Sequence, residues 1–304
     1  MQSRLLRSFL VVAEHNSITQ ASDVLHVSQP ALTKSIHRLE YDLGVELFER
    51  LPSGVRLTRY GEVLARHVRL MDNEYRHAVS QIEALRDGRG KMLKVGAGPV
   101  WMVKLLPPII ADFHERHPDV KVALVGGVID TLVPALVEGS LDLICVSLDF
   151  PGRSEIIKEP LIDVRHVLIV HPSHPLAEQD AVGAADLTGH PWLVLNNDYV
   201  GTERIGSFFA ANGLAPPNIA VETSSVLSMF ELLRNGRFIA HVPSLMSDLA
   251  HSMGLARVRT ATTLWETPAG VAYRTSDKVQ RSLPALLGFI RAAFPSEPAE
   301  LPQF

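Results

Sequence analysis

Cysteine is nearly absent. Cys145 is the one thiol in 304 residues, which excludes an intramolecular disulfide framework and any cysteine-based metal knuckle. It sits in the apolar run Leu141 to Val146, where a buried structural thiol is expected rather than a redox sensor, which needs an exposed sulfur of low pKa. No apolar run is long enough to cross a bilayer. Glycine/serine tracts, an acidic tail and internal repeats are also missing, so neither a disordered chain nor a solenoid is indicated. The N-terminus lacks an uninterrupted secretory apolar core. Leu5, Leu6, Phe9, Leu10, Val12 and Ala13 are instead interleaved with polar residues as in a folding helix, and a cytoplasmic protein with no membrane partner is expected.

Strong charge of one sign is lacking too, with a net charge of −4. Residues 1–90 carry 12 Lys and Arg against 11 Asp and Glu, and residues 91–304 carry 17 against 22. The asymmetry is mild, so any positive surface must come from local placement. What is present is ordinary globular material: 46% hydrophobic and 20% charged residues, in a length that suits two or three cores.

Ser17-Ile18-Thr19-Gln20 has the form of a capping box, so a helix should start near Ile18 and run through Ala21 and Leu25. After a break at His26-Val27, Ser28 can cap a second helix whose first turn tolerates Pro30. Leu32, Ile36, Leu39 and Leu43 then recur at helical spacing and form its core face. The opposite face carries Gln29, Thr33 and His37 flanked by Lys34 and Arg38. Amide, hydroxyl and cation together suit base edges and phosphates in a major groove, whereas His37 is expected to be a neutral imidazole pointing at water. A plain helical hairpin with a solvated polar face remains the alternative at this point. Two short β-like runs follow, Val45 to Arg50 and Val55 to Thr58, joined by Leu51-Pro52-Ser53-Gly54. They read as a wing that places Arg50, Ser53 and Arg56 beside the inserted helix.

Ser28-Gln29-Pro30-Ala31-Leu32-Thr33, Ile36, Leu39-Glu40, Leu43-Gly44, Leu47-Phe48-Glu49-Arg50, Leu57-Thr58 and Gly61 together resemble the DNA-binding domain of LysR-type regulators over about sixty residues. The resemblance implies a double-stranded DNA operator as partner. It also implies that Gln29, Pro30, Thr33 and Lys34 approach the DNA and that Arg50 and the Ser53 turn form the wing contact.

Thr58 can cap a third helical segment in which Leu64, Val68, Met71, Tyr75, Ala78, Ile82 and Leu85 recur in a heptad pattern. So narrow a stripe suits pairing with a second helix, the alternative being a helix packed on its own domain. The resemblance favours a homodimer through this linker helix. It further implies a tetramer, and contact with RNA polymerase is an additional expected partnership. Asp87-Gly88-Arg89-Gly90 marks the boundary.

Beyond residue 90 the pattern becomes alternating apolar strands and amphipathic helices. Leu93-Lys94-Val95-Gly96, Val103 to Glu115, Val120 to Val125, Ile129 to Val137 and Leu141 to Val146 read as βαβαβ, which implies a parallel sheet. A similar series recurs from Val164 onward, returns at Ala269 to Tyr273 and closes with a helix from Leu283 to Phe294. Two such lobes enclose a cleft. The motifs Leu105-Leu106-Pro107, Phe113 with His117-Pro118, Glu138-Gly139 with Leu141-Asp142, and Gly236 to Ala240 with Pro243 are similar to the periplasmic-binding-protein-like effector domain of the same family. The whole reads as an α+β multidomain protein. A winged helix-turn-helix occupies 1–58, a linker helix 59–90 and a two-lobed α/β domain 91–304, with lobe I at about 91–161 and 267–304 and lobe II at about 162–266.

Strand ends place Pro99, Val100, Trp101, Ile129, Ser147, Asn197, Tyr199, Thr202 and His241 around the cleft. Val100 and Ile129 stand where many relatives hold polar residues, so the small-molecule effector is expected to be aromatic or largely apolar. Trp101 and Tyr199 would be its stacking walls, with Asn197, Thr202 and His241 as polar anchors. A core aromatic at Trp101 and a structural histidine at 241 are the competing readings.

An enzyme is not expected. Gly96-Ala97-Gly98 has Trp101 at the third glycine position of a dinucleotide fingerprint, and His114-Glu115-Arg116-His117 lacks zinc spacing. No catalytic residue, metal site or cofactor is indicated. A solute-binding protein without DNA binding is the other alternative.

Overall fold

The computed structural model describes residues 4–52, 54–87, 92–275 and 282–294, with the helix path alone given for residues 76, 77, 80, 81 and 83–87. These residues form two compact units that divide near residue 90.

In the first unit, α1 (Arg4–His15) buries Phe9, Leu10, Val12 and Ala13. The capping box acts as expected at α2 (Ile18–Leu25), where Ser17 accepts from the Gln20 backbone N–H. Helix α3 (Gln29–Leu43) has Pro30 in its first turn, but Ser28 makes no side-chain capping bond. Leu32, Ile36 and Leu39 are buried, whereas Leu43, expected on the core face, is about half exposed. The reason is the helix end: Gly44 takes φ 69° and turns the chain away. Strands β1 (Phe48–Leu51) and β2 (Gly54–Leu57) pair antiparallel as the wing. Gly54, at φ 137°, lies so close to Asn16 that a Cβ would come within 2.3 Å of its carbonyl oxygen. The Val55 N–H donates to the same oxygen at 3.0 Å, so the wing is tied to the end of α1.

Helix α4 (Arg59–Asp87) begins with Thr58 Oγ1 accepting from the Gly61 N–H at 3.1 Å. The expected heptad seam divides here. Val68 is fully buried in the core of its own winged unit, so it is corrected from a partner contact to a core residue, while Leu64 is partly buried against the same core. Met71, Tyr75 and Ile82 are half exposed or more, and Ala78 is exposed. The Leu85 side chain and Ser53 lie outside the described residues.

The second unit is built on β3 (Met92–Ala97), flanked in parallel by β4 (Lys121–Gly126) and β5 (Leu143–Ser147). A π-helical turn, Trp101–Leu105, leads into α5 (Leu106–Arg116), and α6 (Ile129–Val137) covers the other crossover. Strand β6 (Ile156–Val170) is longer than its apolar second half suggested. Its first half holds Lys158, Glu159 and Pro160, which mask the strand pattern in the sequence, and each is accommodated. Lys158 Nζ donates to the carbonyls of Leu148, at 3.0 Å, and Phe150. Glu159 receives both Arg291 donors at 2.9 and 2.8 Å. Pro160 sits beside a bulge opposite Gly270, where a Cβ would lie 2.0 Å from the Glu159 carbonyl oxygen.

Chain order continues through β7 (Trp192–Leu195), α7 (Tyr199–Ala211), β8 (Ile219–Thr223), α8 (Val226–Leu233), β9 (Ala240–Pro243), α9 (Ser247–Ser252), β10 (Ala256–Arg257), β11 (Glu266–Arg274) and α10 (Ser282–Ala292). The first half of β6 pairs with β11, which also pairs with β5; the second half pairs with β9 and β10. The long strands thus run from one half of the unit to the other, leaving a cavity between β5, α7 and β9. Cys145 is fully buried in β5, and burial pushes its thiol up, which suits a packing role.

Candidate DNA interface and ligand cavity

On α3 the buried leucines and Ile36 fix one face inward and turn the other to solvent. Ser28, Gln29, Pro30, Lys34, Arg38 and His37 are exposed there and Thr33 is half-buried. This brings the expected helix residues together on one surface. The wing adds Arg50 and Arg56, both exposed. Arg56 is engaged within the wing, its Nη2 2.7 Å from Glu49 Oε2 on the paired strand, and this hydrogen bond raises the guanidinium pKa. Contact with a phosphate would have to compete with that carboxylate.

His37 is exposed as expected, but its ring nitrogens are engaged by protein groups. Its Nε2 accepts from Arg50 Nη2 at 3.1 Å, and its Nδ1 lies 3.3 Å from Glu40 Oε2. Because a guanidinium only donates, Nε2 must be the bare nitrogen and Nδ1 carries the proton toward Glu40. The other Glu40 oxygen accepts from the Leu47 N–H at 2.8 Å and the Phe48 N–H at 3.3 Å. A chain of polar contacts therefore runs from the start of the wing, through the exposed helix, to the wing arginine. It borders a groove of about 320 Å³ that includes Thr33, His37, Glu46 and Arg50.

In the second unit a cavity of about 120 Å³ is lined by Pro99, Val100, Trp101, Ile129, Ser147 and His241 among the expected residues. Asn197, Tyr199 and Thr202 do not line it, which corrects their expected place. Tyr199 and Thr202, expected at a strand end, instead fall in the first turn of α7. Asp198 caps that turn through Gly201, leaving Val200, Gly201 and Arg204 on the cavity side and Tyr199 70% exposed. Asn197 is an exposed αL residue at φ 60° before the helix.

The cavity also has members that the sequence pattern did not indicate. Val146, Val164, Leu195, Met229 and Met246 supply apolar wall. His166 stacks on Trp265 with ring centroids 5.3 Å apart, and its Nδ1 lies 3.3 Å from His241 Nδ1. Burial, reinforced by His241 and Arg204, lowers the His166 pKa to about 3; burial lowers His241 to about 4. Both rings are therefore neutral near pH 7. Arg204 pairs with Asp149, Nε to Oδ2 at 2.8 Å, with a second contact from Nη2. Burial raises the Asp198 pKa against the lowering effect of its Gly201 hydrogen bond. Period-two alternation along β6 could have flagged His166, but a lone Trp265 in a polar stretch carried no signal.

Trp101 is 1% exposed, packs at 5.4 Å on Phe294, and forms part of the main core as well as the cavity wall. Its Nε1 has no hydrogen-bond partner among the described residues. The buried Thr267 Oγ1, also on the wall, lacks one as well. Among the described residues no group of three or more metal-ligating side chains occurs, and no helix is long and apolar enough to cross a membrane.

Comparison with known proteins matches both units. Residues 3–62 fit the model of the bacterial regulatory helix-turn-helix protein, lysR family, and residues 86–295 fit the LysR substrate binding domain. The HTH-type transcriptional regulator PcaQ of Agrobacterium fabrum is 31% identical over 294 residues, covering 95% of this chain and 94% of that protein. The crystal structure of CbnR, a LysR family transcriptional regulator, superposes with a TM-score of 0.64 at 24% identity, over 97% of this chain and all of that one. Full-length CbnR complexed with its target DNA gives 0.61 at 23% identity, over 96% of this chain and all of that one.

Proposed function

Because the chain belongs to the LysR family of bacterial transcriptional regulators, we propose that it reads its operator with the exposed face of α3 and answers to a small molecule held in the cavity of its second unit. It is a DNA-binding regulator with an effector-binding domain. The observation that supports the assignment of residues best is the row of Gln29, Thr33, Lys34 and Arg38 on a helix whose other side is anchored by Leu32, Ile36 and Leu39. Gln29 and Thr33 have the donors and acceptors for base edges, while Lys34, Arg38 and Arg50 have charge for phosphates. Ser28, Pro30, Ser53 and Arg56 complete the proposed contact set.

The exposed stripe of Met71, Tyr75, Ala78 and Ile82 supports a homodimer, since 29 residues of helix offer a long seam and a two-fold protein matches a dyad operator. Tetramer formation, contact with RNA polymerase and a cytoplasmic location belong to the same reading. So does the absence of catalysis. Effector binding would act by favouring one arrangement of the lobes, which requires different affinities for the two arrangements. A gel-shift assay on the DNA flanking the gene tests the proposal: saturable, sequence-dependent binding supports it, and indifference to duplex DNA at low ionic strength rejects it.

A further inference from the structure

Two places on the cavity where an anion would ordinarily bind are filled by the protein itself. The first is the N-terminus of α7, a helix of 13 residues whose leading N–H groups carry positive partial charge. The Val200 N–H donates to Asp130 Oδ2 at 3.2 Å, and the Gly201 N–H donates to Asp198 Oδ1 at 3.0 Å. The Thr202 N–H is taken by the Asp198 carbonyl at 3.0 Å. The second place is Arg204, the cation of the lining, and Asp149 occupies it. An incoming carboxylate would meet Asp149 and Asp198, and among the described lining residues no unpaired cation is left to receive it. Burying an unpaired carboxylate is among the costliest things a ligand can do.

The rest of the wall suits an uncharged molecule. His166, His241 and Trp265 form a contiguous aromatic surface with ring centroids 5.1 to 5.4 Å apart. The two imidazoles stay neutral because burial holds their pKa values at about 3 and about 4. Ser147, His166 and His241 line the cavity and offer a hydroxyl and imidazole nitrogens to a hydrogen-bonding ligand.

We propose that this cavity takes a small uncharged aromatic molecule bearing a hydroxyl or carboxamide, and discriminates against carboxylates because Asp130, Asp198 and Asp149 occupy the start of α7 and the lining cation Arg204. The proposal rests on the reading of the cavity as the effector site and names the ligand class for it.

The test uses the full-length protein at pH 7.5 and three probes of nearly one shape: benzyl alcohol, benzamide and benzoate. Binding is followed by calorimetry and by tryptophan fluorescence, with Trp265→Phe identifying the signal from the cavity. The expected result is that the two neutral probes bind at least tenfold more tightly than benzoate. In Asp149→Asn, which frees Arg204, the ratio should move about tenfold toward benzoate, with circular dichroism reporting whether the variant folds. Benzoate binding as tightly as the neutral probes in the unmodified protein would overturn the ligand class and leave the regulator reading intact. Absence of saturable binding by both neutral probes would also overturn it. The operator gel shift, which needs no ligand, decides the regulator reading separately.

Discussion

His37 Nε2 accepts a hydrogen bond from Arg50 Nη2 at 3.1 Å, linking the exposed helix to the wing. An arginine held this way is ordered in advance for the phosphate contact proposed for it. Arg50→Ala is expected to weaken binding to all DNA sequences and lower the salt slope by about one. His37→Ala should weaken binding by a smaller factor, roughly 2- to 10-fold, since single exposed contacts contribute about 1 kcal/mol. Adding His37→Ala to Arg50→Ala should then have almost no further effect. A double-mutant cycle of operator affinities checks this, and additivity of the two losses would contradict the link.

The neutral histidines make stability depend on pH. In the unfolded chain each imidazole titrates near its ordinary value of 6.5, whereas His166 and His241 are lowered to about 3 and about 4 in the fold, chiefly by burial. Between about pH 6.5 and pH 4 the unfolded state therefore binds protons that the folded state refuses. Stability falls as pH drops through that window, by at most about 1.4 kcal/mol per pH unit for each histidine. Thermal melts across the window should show the decline, with a shallower slope in His241→Asn. A melting temperature that stays level from pH 6.5 to 4 would rule out this account.

The divided seam of α4 separates two kinds of substitution. Ile82→Asp places a charge on the exposed stripe and should convert a dimer to a monomer by analytical ultracentrifugation while leaving the fold intact. Val68→Asp instead buries a charge in the winged unit and should cost several kcal/mol, unfolding that unit. Dimerisation that survives Ile82→Asp at micromolar concentration would move the interface elsewhere.

Trp101 now has a structural role beside its place on the cavity wall. Its packing against Phe294 and the main core means that Trp101→Ala should cost about 3–5 kcal/mol in stability. Loss of effector response in that variant would therefore be ambiguous. Trp101→Phe preserves most of the packing, so it should keep the melting temperature within a few degrees, and a change in ligand affinity in that variant reports the reshaped cavity wall rather than unfolding.

What could be read in the sequence follows from which signals are local. Capping residues such as Ser17 and Thr58, the Gly44 turn and the Leu32, Ile36 and Leu39 stripe act within a few residues, and α2, α3 and α4 start where they indicate. The cavity is a different matter because its members come from distant segments. Asp149, His166, Arg204 and Trp265 meet only after β6 and β11 are paired, and no spacing along the chain announces that. Asn197, Tyr199 and Thr202 were misplaced for a local reason: Asp198 caps a helix that starts earlier than its apolar pattern, turning Tyr199 and Thr202 outward. Likewise Val68 and Met71 share one heptad stripe, and periodicity cannot say that the winged core covers only the first of them.

The most direct test of the central claim, that the polar face of α3 reads base sequence, is a quantitative gel shift with Gln29→Ala on the flanking operator and on a scrambled duplex of equal length. The account predicts a loss of about 10- to 100-fold on the operator, equivalent to about 1–3 kcal/mol for a bidentate base contact, with little change on the scrambled duplex. Equal operator affinity in the variant and the unmodified protein would contradict it.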